Sequence, residues 1–187
     1  MNKFLLCVLF LACLCSGTAS AVMITANASL DYAQEVEPSN PIPSLASGEA
    51  TVVFDLDTGL LDITATIDGI MLDDIIFPSG GLSFAGIGPF HIHQGAAGTN
   101  GPPVIVFPNL AFYSSTPTGI AISAMDIAFD LTLESAIRNS ELYLNLHTLD
   151  YASGEVRGQL TVVPEPSVLA LMAFGMLGAS VSRKRLK

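Results

Sequence analysis

The stretch ATVVFDLDTGLLDITATI, residues 50–67, repeats with a period of two. Ala50, Val52 and Phe54 alternate with Thr51 and Val53, and Leu61, Ile63, Ala65 and Ile67 alternate with Asp62, Thr64 and Thr66. Successive side chains of a strand point to opposite faces, so each run lays an apolar row on one side and a mostly polar row on the other. Asp57-Thr58-Gly59 between the runs has turn chemistry, and the whole reads as a β-hairpin. Further along, Leu142, Leu144 and Leu146 alternate with Tyr143, Asn145 and His147. Val156, Leu160 and Val162 share one face of a last strand that also contains Gly158. The helix candidate is short, Leu133 to Asn139, with Thr132 as its N-cap. Many short antiparallel strands with turn signals and no internal repeat predict an all-β fold, an antiparallel β-sandwich or barrel-like single domain. Glu37 to Ser44 with its three prolines, residues 77–89 with their glycines, and Leu110 to Gly119 are expected as loops.

The two ends differ from this middle. Asn2 and Lys3 precede an apolar run from Phe4 to Cys15, and small residues lead to Ala19-Ser20-Ala21. A basic start, a short apolar core and an A-x-A site make residues 1–21 a secretory signal peptide. Phe10-Leu11-Ala12 is a poor approach to a lipidated Cys13, so cleavage is expected after Ala21. Cys7, Cys13 and Cys15, the 3 cysteines of the chain, all lie in this segment. An exported domain spanning 22–162 then has no disulfide and rests on its core. At the other end, residues 163–187 hold Pro164-Glu165-Pro166, an apolar stretch over 168–182 and the cluster Arg183-Lys184-Arg185. The prolines break any preceding strand. As a helix, 168–182 covers about 22 Å, short of the roughly 30 Å hydrocarbon core. The basic cluster marks its cytoplasmic end.

Charge is segregated as well. The chain has 7 Lys and Arg against 17 Asp and Glu. Of the cations only Arg138 and Arg157 fall in the domain, and every acid except Glu165 does. Such a surface repels nucleic acid, whose phosphates need basic contacts, and attracts cations.

Two family resemblances follow from particular residues. Pro164-Glu165-Pro166, the short apolar helix and the terminal basic cluster together resemble the PEP-CTERM sorting signal. That resemblance implies a Gram-negative cell exporting surface polysaccharide, recognition of the Pro-Glu-Pro motif by an exosortase-type processing enzyme, and only transient membrane contact. Ala33-Gln34-Glu35-Val36, Ser47-Gly48-Glu49-Ala50, His91-Ile92-His93-Gln94-Gly95 and Gly98-Thr99-Asn100-Gly101-Pro102 resemble the CHRD domain, named from chordin. Glu141 to Thr148 and Gly154 to Leu160 fit the same family, and the match runs in order from Ile24 to Thr161 with an atypical insert at Leu72 to Gly88. This resemblance implies fold and location rather than an activity.

The 3 histidines all lie in these blocks. His91 and His93 stand two apart on a strand and so share a face, with Phe90 and Ile92 on the other. His147 lies with Tyr143 and Asn145. If the two strands meet, three imidazoles converge, a donor set that suits copper or zinc. The His-x-His pair is similar to part of the copper site of Cu/Zn superoxide dismutases, but those enzymes use more histidines than this chain has. The alternative is that the rings hydrogen-bond the turn-rich Gly95 to Pro103. Asp55-Leu56-Asp57-Thr58-Gly59 lacks the terminal glutamate of a calcium loop and reads as turn chemistry. Asp73-Asp74 reads as loop solvation, and Glu155 with Arg157 as a structural ion pair. Gly95 to Gly101 lacks a P-loop lysine, no Gly-x-Ser-x-Gly elbow occurs, and no cysteine remains for a thiol nucleophile. The expected function is therefore a non-enzymatic surface or matrix protein that adheres to or binds in a polysaccharide-rich matrix. The alternative is an extracytoplasmic copper- or zinc-binding protein using His91, His93 and His147.

Overall fold

A computed structural model describes residues 21–38, 40–76 and 86–164. The alternating stretch that opened the reading forms β2 (Ser47–Asp55) and β3 (Leu60–Asp68). They pair antiparallel in continuous register from Ser47 opposite Asp68 to Asp55 opposite Leu60. The turn between them is held by Asp55, whose carboxylate accepts from the backbone N–H of Asp57 and Thr58. The other strands are β1 (Met23–Asp31), β4 (Phe90–Gln94), β5 (Pro103–Val106), β6 (Tyr113–Ser115), β7 (Gly119–Ala128), β8 (Leu142–Leu146), β9 (Val156–Gln159) and β10 (Thr161–Val162). Their order is β5-β4-β8-β9-β1-β2-β3-β7-β6, with β10 added beside β1. All pairings are antiparallel. Of the two architectures the alternation allows, the protein takes the barrel-like one: a single sheet curled into a half-barrel.

The core fills the inside of the curl. Alternate residues of the strands, among them Leu30, Val52, Phe54, Leu61, Ile63, Ile67, Ile120, Ile92, Leu144 and Val156, are almost wholly buried. Fully burying one such side chain contributes roughly 1.5–3 kcal/mol, which is what a disulfide-free domain needs. β1, β2, β3 and β7 turn their other face to solvent. The β4–β8–β9 part does not: every residue of β8 is buried, including Tyr143 and Asn145. Loops cover its outer face, and the sheet there is buried on both sides.

Several local expectations shift. The last strand is split at Leu160, whose N–H donates to the Leu142 carbonyl of β8 before the chain moves on to β1. The helix is Glu134–Arg138, preceded by a 3-10 turn over Leu131–Leu133. That turn moves the cap upstream, so Asp130 rather than Thr132 accepts the first N–H, that of Thr132 itself. Leu110 to Gly119 is not all loop: Tyr113–Ser115 adds an edge strand to β7. Asp73 and Asp74 sit on a one-turn helix, Leu72–Ile75, where Asp74 accepts from the N–H of Met71. No helix of the described residues is long and apolar enough to cross a membrane. The expected signal up to Ser20, the apolar helix 168–182, Glu165, Pro166 and the Arg183-Lys184-Arg185 cluster lie outside the described residues, as do residues 77–85 of the Gly-rich loop.

β9 can lie against β1 because residue 158 is glycine: a Cβ there would stand 2.5 Å from the Ser29 carbonyl oxygen. Gly158→Ala is expected to cost about 1–3 kcal/mol, the usual penalty of overpacking, read as a lower urea midpoint. An unchanged midpoint would contradict this register.

Candidate metal centre

The two-residue period of β4 puts Phe90 and Ile92 in the core and His91 and His93 on the covered face. Pairing with β8 sets His91 opposite Asn145 and His93 opposite Tyr143. His147 follows the end of β8, and its N–H donates to the Pro89 carbonyl at 2.8 Å, which holds it level with the start of β4. The three rings therefore meet. Centroids are 4.9 Å apart for His91–His147, 5.4 Å for His91–His93 and 6.2 Å for His93–His147. One nitrogen from each ring lies within 4.8 Å of the others.

Each ring is also anchored through a nitrogen to a backbone carbonyl. His91 Nε2 donates to Gly88 at 2.5 Å, His93 Nδ1 to Gly101 at 2.9 Å and His147 Nδ1 to Ala152 at 3.0 Å. A carbonyl only accepts, so these bonds fix the tautomers and leave His91 Nδ1, His93 Nε2 and His147 Nε2 as the lone-pair nitrogens. His91 Nδ1 and His93 Nε2 face each other at 3.4 Å. Two nitrogens bound to one tetrahedral zinc at 2.0–2.1 Å stand about 3.4 Å apart. Burial lowers the pKa of all three rings, that of His91 to about 4, with the charge of His147 adding to the effect there. Neutral imidazoles are the form that binds metal.

Next to the rings lies a polar layer that the alternation alone did not reveal. Tyr143 stacks on His93, centroids 4.9 Å apart and planes 16° from parallel. The Arg157 guanidinium sits 3.5 Å from the centre of the Tyr143 ring. Arg157 is 1% exposed. It donates to Asn100 Oδ1 at 3.1 Å and to the carbonyls of Thr99 at 2.9 Å and Ala96 at 3.4 Å, pinning the Gly-rich loop over the site. The expected pairing of Arg157 with Glu155 is not made. Glu155 accepts instead from Ser44 and Thr148, both at 2.6 Å, because the loop carbonyls already take the guanidinium. Glu35 reaches in from the turn after β1 and meets the Asn145 amide at 3.4 Å. Burial pushes its carboxyl up to about 7, against the pull of Arg157 and Asn145. Gly154, at φ 129, makes room for this pair, since a Cβ there would stand 2.5 Å from Glu35 Oε1. Glu35 belongs to the Ala33–Val36 block, whose position in the sequence pattern was the only signal for it.

The fold and this covered face define an all-β domain with a buried three-histidine cluster. The CHRD domain model matches residues 26–160, and the chain belongs to the CHRD domain family. A PEP-CTERM protein-sorting motif matches residues 162–185. It indicates export across the inner membrane to the cell surface or extracellular space and implies processing by exosortase-type machinery. A comparison with curated proteins gives no match, and one with solved structures gives none.

Titration follows from the two kinds of shift. An imidazole that is harder to protonate folded than unfolded withdraws stability as pH falls from 6.5 towards its folded value, about 4 for His91. Glu35 works the other way: its contribution is complete below 4.5 and is lost as pH rises through about 7. Metal-free Glu35→Gln protein should therefore lose stability more steeply than the parent between pH 7 and 4.5 in urea unfolding. An identical pH profile for both would contradict the burial of Glu35.

Proposed function

We propose that this exported CHRD domain is a non-enzymatic metal-holding module that takes a copper or zinc ion between His91 Nδ1, His93 Nε2 and His147 Nε2. The observation that carries the reading is the anchoring of each ring through one nitrogen to a backbone carbonyl, with His91 Nδ1 and His93 Nε2 facing each other and a nitrogen of every ring within 4.8 Å of the others. Ligating histidines commonly have their second nitrogen fixed in this way, which sets tautomer and aim before the ion arrives. On the same reading the chain divides into a signal peptide over 1–21, the domain over 22–162 and a sorting tail over 163–187. In that tail Pro164, Glu165 and Pro166 form the processing motif, and Arg183, Lys184 and Arg185 stop transfer. Equilibrium dialysis of the purified chain, with no histidine tag, should retain about one equivalent of copper or zinc. Changing His91, His93 and His147 together to Ala should abolish it, and His147→Gln alone should weaken it at least tenfold with the fold intact by circular dichroism. Retention undiminished in the triple variant would end the proposal.

A second role, binding in the polysaccharide matrix, draws on the opposite part of the sheet. Asn27, Thr51, Thr64 and Ser123 stand directly across from one another on β1, β2, β3 and β7, all exposed. Thr51 Oγ1 donates to Asn27 Oδ1 at 3.0 Å. A shallow groove along this row is lined by Glu49, Thr51, Thr64, Thr66 and Ser123 together with Ala50, Ala65, Ala121 and Ile122. Hydroxyls and amides in strand register offer donors and acceptors at the regular spacing of about 4.8 Å, a chemistry suited to sugar hydroxyls. Thr51→Val with Thr64→Val keeps the strand propensity and removes the hydroxyls. This variant should bind extracellular polysaccharide from an exosortase-bearing producer several-fold more weakly in a pull-down. Equal retention would leave the face without this role.

A further inference from the structure

The charge around the histidines narrows the choice of ion. Among the described residues the clustered donors are three imidazoles and no carboxylate. Neutral imidazoles bring no negative charge to offset a bound cation. One ring away stands a permanent positive charge: Arg157 lies over Tyr143, and Tyr143 stacks on His93. The donors of Arg157 go to an amide oxygen and two carbonyls, all neutral acceptors. The carboxyl whose charge acts on it is that of Glu35, and burial pushes that group up to about 7. The histidines themselves are at most 9% exposed.

The cost of bringing an ion into such a place rises with the square of its charge, and its repulsion by Arg157 rises linearly with it. Both terms work against a divalent ion. Zinc also seeks a fourth ligand, whereas monovalent copper is content with three. We propose that the site selects by ionic charge and takes monovalent copper in preference to zinc or divalent copper. This rests on the metal reading above and adds to it the oxidation state.

The test uses the full chain under ascorbate and inert gas. Copper(I) affinity is read by competition with bicinchoninate, and zinc affinity by competition with a chromophoric zinc indicator. The parent should bind copper(I) at about one equivalent and release zinc to it. Arg157→Gln should tighten zinc by about the square of the factor by which it tightens copper(I), for instance tenfold against threefold, because the repulsion doubles with the charge. Arg157→Lys, which keeps the charge, should hold the ratio near that of the parent. If Arg157→Gln does not fold, the parent decides alone: air oxidation should hand its copper to a copper(II) chelator. Histidine-dependent zinc that stoichiometric copper(I) leaves in place, an equal change in both affinities, or copper retained after oxidation would overturn the charge selection and leave the metal site standing. Retention of neither ion would overturn the site itself.

Discussion

A guanidinium buried under a loop is the constraint around which the functional half of this domain is arranged. Removing an ion from water costs several kcal/mol even after relaxation. Arg157 therefore needs acceptors and a polarizable surface, and the loop carbonyls of Ala96 and Thr99, the Asn100 side chain and the Tyr143 ring supply them. Hydrogen bonds to a charged group contribute about 1.5–3 kcal/mol each, so the loop is held closed as long as the charge stays inside. Gly101 at its end accepts from His93 and donates to the Tyr143 hydroxyl. The same few bonds thus orient an imidazole, a phenol and a cation.

The two parts of the sheet answer different demands with the same alternation. In β2 and β3 one face is core and the other is water, and hydroxyls suffice outside. In β4, β8 and β9 the second face is also closed, so every polar group on it needs a partner. The network of Tyr143, Asn145, Arg157, Gln159 and the histidines meets much of that need, while Glu35 Oε1, Asn145 Oδ1 and Gln159 Oε1 are left without a hydrogen-bond partner. Gln159 Nε2 alone reaches the carbonyls of Gly95, Ser140 and Leu142. A polar layer sealed in this way keeps its rings in fixed rotamers, and that is what turns three scattered histidines into a cluster.

The hairpin at 50–67 was legible because half-buried strands carry a strict period, and the same rule correctly sorted Phe90 and Ile92 from His91 and His93. The meeting of His147 with that pair needed strand order, which periodicity does not contain: β8 lies beside β4 although some fifty residues separate them in the chain. Arg157 was legible as an unusual cation in an acidic domain, but its partner was not. Sequence spacing favoured Glu155 on the same strand face, while the structure brings in a loop from across the sheet. Glu35 was invisible as chemistry, since a lone glutamate in a turn looks solvated until Asn145 and Gly154 close around it. The split of the last strand and the cap at Asp130 were missed for a simpler reason: each depends on one hydrogen bond, Leu160 N–H to the Leu142 carbonyl and Thr132 N–H to the Asp130 carboxylate.

The course of the final strands has a consequence for display. Arg157 stands opposite Asp31, at one end of β1, and by Val162 the chain has moved down to Ala26. The Val163 N–H bonds the Thr25 carbonyl just before the Pro-Glu-Pro segment. Five residue steps along β1 span about 17 Å. The row that carries the histidines is therefore at the far end of β1 from Val163. The chain thus leaves the described domain at the pole opposite its histidines, and whatever is joined beyond Pro164 starts from the end that does not carry the cluster.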